Sequence, residues 1–450
     1  MNGVKEIRND FLAGYESLSR DHLKTGPLWI QSVKSDARDR FIALGLPTTR
    51  LEQWKYTNVA PVARIPFKPA GNGFKGSLAD IGVTGIVASE VTRLQFINGH
   101  YSAELSITVA GNGLTAGSLA QLIESDDETV RTHLARHVDY KDHSFVALNT
   151  SLLDDGAFIQ IPSRLVLEEP IYIVFHSEAP SVETFTNPRV LIIAGESSQV
   201  AVVELYTGSG KCPYLTNAVT EVVLGENAIV DHYKLQQEAD SAYHISTVQV
   251  HQSRCSTFHS HSVSVGGLLV RNDVNVVLDG EGDQCTLDGL YVESGEQHVD
   301  NHTLIDHAKS NGSSRELYKG ILDDKSTGVF NGSVIVRKDA QKTDALQSNK
   351  NLLLSEGAEI NTKPQLEIFA DDVKCSHGAT IGQIDQEALF YLRSRGLDSQ
   401  AARGLLLYAF SNEILDRMKC APVRSLIAGA LSKKVALGSD VSLNSSSEDL

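Results

Sequence analysis

The sequence lacks any stretch that would place it in a membrane or export it. No apolar run in its 450 residues approaches the roughly 20 residues that a membrane-spanning helix needs. Residues 1–6 (MNGVKE) lack the basic start and apolar core of a signal peptide, and they are too acidic for a typical transit peptide. The sequence therefore predicts a cytoplasmic protein that does not bind membranes.

Positive charge is also scarce. The chain has 40 Lys and Arg residues against 56 Asp and Glu residues, which gives a formal net charge of −16. No cluster of Lys and Arg interrupts this balance. Because an acidic surface repels phosphate backbones and anionic lipid, nucleic acid is not expected as a partner.

Cysteine is sparse and follows no motif. The five cysteines are widely spaced and include no CxxC pair, which excludes a structural zinc knuckle and a thioredoxin-like motif. They are Cys212, Cys255, Cys285, Cys375 and Cys420. In a cytoplasm the thiols should stay reduced. An isolated cysteine is most often a small buried hydrophobe, and this is the default expectation for each of the five.

Helical periodicity is missing from about residue 155 to about residue 370. Short runs that alternate apolar with polar residues take its place, separated by Gly and Asn, as in half-buried strands. The predicted strands include 189–193, 200–206, 219–224, 228–235, 247–250, 274–278, 289–293 and 332–336. A sandwich of this length would be large, and a propeller would show a repeat of about 40 residues that is absent here. A parallel β-helix accounts best for the pattern, although composition alone does not separate it from a Greek-key fold.

Helices are predicted on both sides of this region. On the N-terminal side, helices are expected over 34–44 and 119–137, and apolar residues recur at helical spacing in the first 20 residues. That N-terminal series is Ile7, Phe11, Tyr15 and Leu18. On the C-terminal side, Asp385 is expected to cap one helix, Asp398 or Ser399 a second, and 423–431 forms a third. Residues 438–450 are polar and acidic without an apolar period, which is typical of a disordered tail.

Two patterns in the sequence resemble enzyme sites, a phosphate loop and pairs of carboxylates, but neither has the residues that its chemistry requires. Residues 205–212 (LYTGSGKC) resemble a phosphate loop, but the motif needs Gly at Leu205 and Ser or Thr at Cys212. Without that hydroxyl no Mg²⁺ ligand exists, so no bound nucleotide is expected. A carbohydrate-active β-helix enzyme would need carboxylates that converge in a cleft. The adjacent pairs at 323–324 and 371–372 would point to opposite faces of a strand, so capping of turns is the favoured interpretation.

Histidines are concentrated in the strand region. His259 and His261 would share one face of a strand, where they could bind a metal, but a polar solvent-exposed face is favoured. A denser polar cluster consists of His298, Asp300, His302, Asp306 and His307. On a helix two of these imidazoles could chelate an ion. The surrounding pattern is typical of a β-turn-β segment, so hydrogen-bonded polar turns are favoured over a metal site.

One segment stands apart, where the strand region gives way to helices. Residues 370–382 (ADDVKCSHGATIG) contain Cys375 and His377, whose side chains face the same way in an extended chain. A thiolate and an imidazole suit zinc, copper or iron, and they also suit activation of the thiol. Two ligands do not complete a tetrahedral site, so partners would have to come from elsewhere. On chemistry alone, a structural role for the pair remains the favoured alternative.

Around this segment the sequence resembles the SufB/SufD family of iron–sulfur cluster assembly scaffolds, and within it the SufD branch. The match is dense from about residue 298 to 415 and sparser, but in the same order, nearer the N-terminus. The matching motifs are QWKYTN (53–58), DNHT (300–303), YKG (318–320), AQKT (340–343), QSNKNLLL (347–354), PQLEI (364–368), DDVKCSHGATIG (371–382) and LFYLRSRG (389–396). SufB-like chains have a Glu-rich stretch around the equivalent histidine, where this chain has CSHG at 375–378.

The resemblance implies a mainly β fold, a right-handed parallel β-helix flanked by helical N- and C-terminal domains. The domains expected from it are an N-terminal helical and mixed domain at 1–150, the β-helix at 151–383, helices that dock an ATPase at 384–436, and the tail at 437–450. It implies a non-catalytic scaffold that pairs through its β-helix with a SufB-like paralogue and carries a SufC-type ATPase. A homodimer is an alternative state when the chain is alone.

The resemblance also implies where the chemistry lies. A transient iron–sulfur cluster would form at the interface between the two large chains, with His377 as this chain's contribution and Cys375 beside it. The rival classes are a β-helix carbohydrate-active enzyme, which predicts a carboxylate-lined groove and activity of the isolated chain, and a homodimeric structural protein with a buried Cys-His pair.

Overall fold

The computed structural model describes residue 15 and residues 23–71, 76, 81, 91–109, 111–179 and 181–434. Its helices are α1 (Leu28–Leu44), α2 (Ala60–Ala63), α3 (Leu119–Glu124), α4 (Glu128–His133), α5 (Ser144–Ser151), α6 (Gln386–Ser394), α7 (Ser399–Leu415) and α8 (Ala421–Lys434), with a 3₁₀ turn at Glu52–Trp54. The first strands are β1 (Lys68–Pro69), β2 (Arg93–Ile97), β3 (His100–Tyr101), β4 (Thr115–Ser118), β5 (Gly156–Ile161), β6 (Ile171–Ala179), β7 (Thr184–Thr186), β8 (Arg189–Ala194), β9 (Gln199–Gly210) and β10 (Tyr214–Leu224). They continue with β11 (Ile229–Gln237), β12 (Ala242–Gln252), β13 (Thr257–Ser264), β14 (Leu269–Leu278), β15 (Gln284–Glu293), β16 (His298–His307), β17 (Ser313–Leu322), β18 (Thr327–Val336), β19 (Asp344–Leu353), β20 (Glu359–Ile368) and β21 (Lys374–Gly382).

From β8 onwards, successive strands alternate between two sheets, whose strands pair in parallel except for β2 with β3 and β4 with β5. Sheet 1 runs β20-β18-β16-β14-β12-β10-β8-β5-β4, and sheet 2 runs β21-β19-β17-β15-β13-β11-β9-β6-β2-β3. From β8 to β19, each strand therefore pairs with the strand two positions later in sequence, as a chain wound into successive rungs does. The result is a β-solenoid of about eight turns. The predicted parallel β-helix with helices at both ends is confirmed, and a Greek-key arrangement is excluded because the pairing of these strands is parallel.

A column of left-handed residues builds one corner of the solenoid. Ser197, Asn227, Cys255 and Asn311 have φ angles of 57°, 57°, 58° and 59°. Each donates its backbone N–H to a carbonyl of the next rung, for example Asn227 to Arg254 at 3.0 Å and Cys255 to Glu281 at 3.0 Å. A non-glycine residue pays about 1–2 kcal/mol for this conformation, so the stacked hydrogen bonds hold it in place. Cys255 is exposed here and does not follow the default expectation of a buried cysteine.

The inside of the solenoid holds polar groups as well as apolar ones. Glu204 accepts hydrogen bonds from Tyr206 at 2.6 Å and from Thr220 at 2.9 Å, and it lies 3.0 Å from His232. Lys234 donates to Asn272 at 2.6 Å. Desolvation lowers the pKa of Lys234 to about 8. Because their partners are present, these buried polar groups help to specify one packing arrangement.

The N-terminal helices cover the outer face of sheet 1. Phe41 of α1 and Phe145 of α5 pack in one apolar cluster with Leu215 and Tyr243 of the sheet. The helix predicted over 119–137 is wrong: two short helices, α3 and α4, replace it. Asp126 has a φ of 54°, which ends the first, and the Asp127 side chain caps the second by accepting from the Val130 N–H.

The C-terminal helices cover the outer face of sheet 2, where Leu407, Ile414 and Ile427 pack against the strands. The predicted caps are confirmed, because Asp385 accepts from the Glu387 N–H and Asp398 from the Ala401 N–H. The third helix begins at Ala421, before its predicted start, since a proline is tolerated in a first turn.

The boundaries of the expected domains remain predictions. Strands β2 and β4 lie before residue 150 yet pair with β6 and β5 of the solenoid sheets, so hydrogen bonding continues across that boundary. The tail at 437–450 and most of the first predicted helix lie outside the described residues. None of the helices in the described part of the chain is both long and apolar enough to cross a membrane.

Candidate functional site at the open end of the solenoid

The solenoid ends in a rung that carries no further strand within the described ranges. Among the strands that the structure describes, β20 pairs only with β18, and β21 pairs only with β19. Their side chains are mostly exposed or partly buried, whereas those of the preceding strands are mostly buried on the inner face. The backbone groups along the free edges of β20 and β21 are therefore available to another chain.

Cys375 and His377 lie on this last strand and share one face of it. In register, Cys375 lies beside Ala345, and His377 lies beside Gln347. Ala345 and Gln347 are buried, whereas Leu346 between them is 47% exposed. By strand alternation, Cys375 and His377 continue the inner face of the solenoid, and Ser376 continues its outer face.

The two side chains differ in burial. Cys375 is partly buried and packs against the solenoid core, while His377 is exposed. Desolvation raises the pKa of the Cys375 thiol, opposed by a backbone hydrogen bond at Ala345. A raised pKa keeps the thiol protonated at neutral pH, so the thiolate would form only when a cation displaces the proton.

Behind His377 lies a buried polar pair that sequence reasoning missed. The Gln347 side-chain amide donates to a Glu316 carboxyl oxygen at 2.7 Å, and both residues are buried. Desolvation raises the pKa of Glu316 to about 7. A polar residue at an inward position of the alternating pattern was the available signal, since Gln347 and Glu316 stand where apolar residues are expected.

Chemically, this end offers one borderline and one soft ligand, which suit iron, zinc and copper. Within the described ranges, no three His, Cys, Asp or Glu side chains converge to hold a metal ion. Cys375 and His377 alone leave at least two positions of a tetrahedral centre unfilled. Any ion or cluster held here would therefore need ligands from another molecule.

Apolar side chains surround the same end. Leu346, Ile368, Phe369 and Ile381 are each more than a third exposed. Exposed large apolar side chains that cluster beside an unpaired sheet edge are typical of a protein–protein contact.

The His259 and His261 pair serves packing of the C-terminal helices, and the expectation of a solvent-exposed face is wrong. His259 lies 2.7 Å from Asp231, and Lys419 of the α7–α8 connection lies within 3.1 Å of both. His261 is buried and stacks on Tyr233 at 5.1 Å between ring centroids. Burial lowers the pKa of His261 to about 3, which keeps it neutral.

The cluster around Asp300 lies on one strand, β16, rather than in the predicted β-turn-β segment. Asp300 accepts from Thr57 at 2.5 Å and from Arg271 at 2.7 Å, and it lies 3.0 Å from His302. His298 also contacts Thr57, at 2.9 Å. This network fastens the N-terminal segment to sheet 1, with the Arg271 guanidinium stacked 3.9 Å from the Trp54 ring centroid.

The remaining motifs have structural roles. In the stretch at 205–212 that resembles a phosphate loop, residues 205–210 belong to strand β9. Asp323 and Asp324 lie in a turn, where Asp323 accepts from the Asp324 N–H at 2.9 Å and Asp324 accepts from the Gly295 N–H at 2.9 Å. Residues 371–372 also lie in a turn. The carboxylates of Asp323 and Asp324 thus support a turn, as the sequence favours, whereas capping by the 371–372 pair stays a prediction.

The chain matches two family models that together span most of its length. One is described as the SUF system FeS cluster assembly, SufBD core domain, and matches residues 175–410. The other is the SufBD protein N-terminal region, which matches residues 5–173.

Three relatives match nearly the whole chain. An iron–sulfur cluster assembly SufBD family protein of Synechocystis is 35% identical over 410 residues, covering 89% of this chain and 90% of that protein. The iron–sulfur cluster assembly protein SufD of Escherichia coli is 29% identical, with 89% of this chain and 92% of the relative covered. The iron–sulfur cluster assembly protein SufD of Bacillus subtilis is 25% identical, and the match covers 93% of this chain and 97% of that protein.

Proposed function

Because this chain belongs to the SufBD family of iron–sulfur cluster assembly proteins, we propose that it is a non-catalytic, SufD-like scaffold subunit in the cytoplasm. It pairs with a SufB-like paralogue through the open end of its solenoid. A nascent iron–sulfur cluster, which is the cargo of the complex, forms at that contact and is then handed on. The observation that carries this proposal is the position of Cys375 and His377 on β21, the last strand of the described solenoid, whose outer edge has no partner among the described residues.

The edges of β20 and β21 support pairing with a second solenoid. Their free backbone groups could hydrogen-bond with the strands of another chain, and the exposed Ile368 and Ile381 would be buried in the contact. A paralogue with a matching last rung would bring its own side chains to His377. Half a ligand set on each chain would account for the two candidate ligands found among the described residues at this end.

His377 would bind iron directly, since imidazole is a borderline ligand that accepts iron. Cys375 would add a thiolate, the usual ligand of clusters, once its proton is displaced. A cluster held by one or two ligands from this side can be released when the interface changes, and release is what a scaffold requires.

Helix α6 supports docking of a SufC-type ATPase. It has no buried residue, and Phe390 and Tyr391 are 73% and 56% exposed. The α7–α8 region is fastened to sheet 2 by ion pairs: Glu413 with Lys319 at 2.6 Å and Arg417 with Asp288 at 2.9 Å. A force on these helices would therefore reach the solenoid. ATP would act through contacts that differ between two states of the complex.

The test is to co-express the complex with His377→Ala and to measure iron and sulfide content after anaerobic purification. We expect cluster content to fall strongly while the complex still assembles. Ser376→Ala is the matched control, because Ser376 lies between the two candidate ligands on the opposite face of the strand. Cluster content at the wild-type level in His377→Ala would refute the ligand assignment. Loss of the cluster in both variants would point to damage of the interface instead.

A further inference from the structure

A second group of histidines, which includes His133 and His137, is distant in sequence from Cys375 and His377 at the solenoid end. Helix α4 ends at His133, and the chain then turns back sharply through Ala135, whose φ is 58°. The reversal returns His137 to the side of His133, with Nδ1 of His133 lying 3.1 Å from Nε2 of His137. An alanine in the left-handed backbone conformation costs about 1–2 kcal/mol, so other contacts must stabilise the turn.

The buried Glu221 carboxylate on the outer face of sheet 1 holds this turn. It accepts backbone N–H groups from Ala135 at 2.9 Å, His137 at 3.1 Å and Val138 at 3.3 Å. It also pairs with the Arg189 guanidinium at 2.6 Å, and both charged groups are fully buried. The two imidazoles are thus fixed beside one another by a rigid, charge-paired anchor.

A third imidazole lies next to them. His251 is on strand β12, and its ring centroid is 5.6 Å from that of His137, while the centroids of His133 and His137 are 5.4 Å apart. Asp279 approaches Nε2 of His251 at 3.4 Å. Two nitrogens bound to one zinc ion at about 2.1 Å lie roughly 3.0–3.4 Å apart for octahedral to tetrahedral angles, which brackets the separation at His133 and His137.

The electrostatic setting favours neutral rings. Desolvation lowers the pKa of His133 and of His137, and for His137 the neighbouring His133 and His251 contribute in the same direction. Glu221 opposes these effects on both rings. Neutral imidazoles offer lone pairs to a metal, and the Glu221 carboxylate balances the charge of the buried Arg189 guanidinium beside them.

We propose that His133 and His137 form a binding site for a divalent transition-metal ion of the zinc type, with His251 as the third ligand. On binding, the ion replaces the N–H···N contact between the two rings. The proton of the donating ring moves to that ring's other nitrogen, so the rings stay neutral. Among the residues that the structure describes, no three side chains are already set to hold an ion. His251 therefore completes the site by rotating its side chain, and water fills the remaining position.

The test uses the full chain with Cys375→Ser and His377→Ala already in place, so that the solenoid end contributes no ligand. Zn²⁺ is titrated calorimetrically into this background and into the same background with His133→Gln, His137→Gln or His251→Gln. We expect one ion per chain in the background. Each ligand substitution should weaken binding at least about tenfold, the loss that even outer-shell changes around metals produce. His143→Gln is the matched control, because His143 is an exposed histidine in the same region.

Thermal unfolding with and without Zn²⁺ separates loss of the site from loss of the fold. At the same Zn²⁺ concentration, the ion should raise the melting temperature of the background and of His143→Gln, and it should raise that of His137→Gln by clearly less. Equal affinity in the background and in His137→Gln would overturn the proposal. So would the absence of any zinc binding to the folded background protein.

Discussion

The side-chain amide of Gln347 donates a 2.7 Å hydrogen bond to the Glu316 carboxyl inside the solenoid, and Gln347 lies in register with His377 on the last strand. The pair links the open end to the buried interior. Because burial raises the pKa of Glu316 to about 7, its protonation should affect stability in an accessible pH range.

We expect Glu316 to destabilise the fold as the pH rises. Its pKa is raised in the folded state, so the folded chain binds the proton more tightly than the unfolded chain does. The loss of stability from ionising this carboxyl therefore grows as the pH rises from the unfolded pKa near 4.5 to the folded pKa of about 7. Glu316→Gln keeps an acceptor for Gln347 and removes the ionisation. In urea unfolding, the free energy of unfolding of Glu316→Gln should rise relative to that of the wild type between pH 5 and pH 8, by at most about 3 kcal/mol. A difference that stays constant with pH would contradict the raised pKa.

Glu221→Gln should destabilise the N-terminal layer. The substitution leaves the Arg189 guanidinium buried without a counter-charge and places an amide N–H against backbone donors. Breaking a buried pair in this way costs about 3–5 kcal/mol, measurable by urea unfolding. Glu226→Gln is the control, because Glu226 and Arg254 form the same kind of pair on the surface, where little change is expected. Similar losses in both variants would show that burial does not set the contribution.

Gly289→Ala should overpack the solenoid interior. A Cβ at Gly289 would lie 2.1 Å from the buried Tyr318 ring, which has no room to move away. Overpacking typically costs about 1–3 kcal/mol. Gly117→Ala is the control. Gly117 also lies in a strand, but no atom lies within 4 Å of a Cβ added there. Both effects can be read from the denaturation midpoint, and an unchanged midpoint for Gly289→Ala would contradict the packing.

Phe390→Glu should prevent the chain from retaining the SufC-type ATPase that we propose to dock on α6. Phe390 is 73% exposed on α6, so the substitution removes a contact without opening a core. We expect the ATPase to be lost on affinity purification while the melting temperature stays the same. Leu28→Glu is the control, since Leu28 is 82% exposed on α1 at the other end of the chain. Retention of the ATPase by Phe390→Glu would place the docking surface elsewhere.

Much of the fold could be predicted from local pattern. Alternation and Gly/Asn punctuation indicated strands such as 219–224 and 332–336, and both lie within observed strands. The capping residues Asp385 and Asp398 were predicted because a side-chain cap acts within three residues of itself. Patterns of longer range failed, as at 119–137, where the backbone conformation of Asp126 outweighs apolar spacing.

The candidate site was predictable only in part. The spacing of Cys375 and His377 placed them on one face, because side chains alternate along any strand. Neither spacing nor composition could show that this face continues the solenoid interior, nor that Gln347 and Glu316 lie behind it. Likewise, His251 is distant in sequence from His133 and His137, and no local pattern relates them.

The sequence by itself determined the strands, the helix caps, the acidic surface and the two candidate ligands on one strand. These depend on residues a few positions apart or on totals over the chain. Only the tertiary structure decided that Cys375 and His377 continue the inner face of the solenoid, which side chains lie behind them at its open end, and which histidines meet on the outer face of sheet 1. The physical reason is that stacking of rungs brings together residues about one turn of the solenoid apart, and that separation depends on the length of every intervening turn.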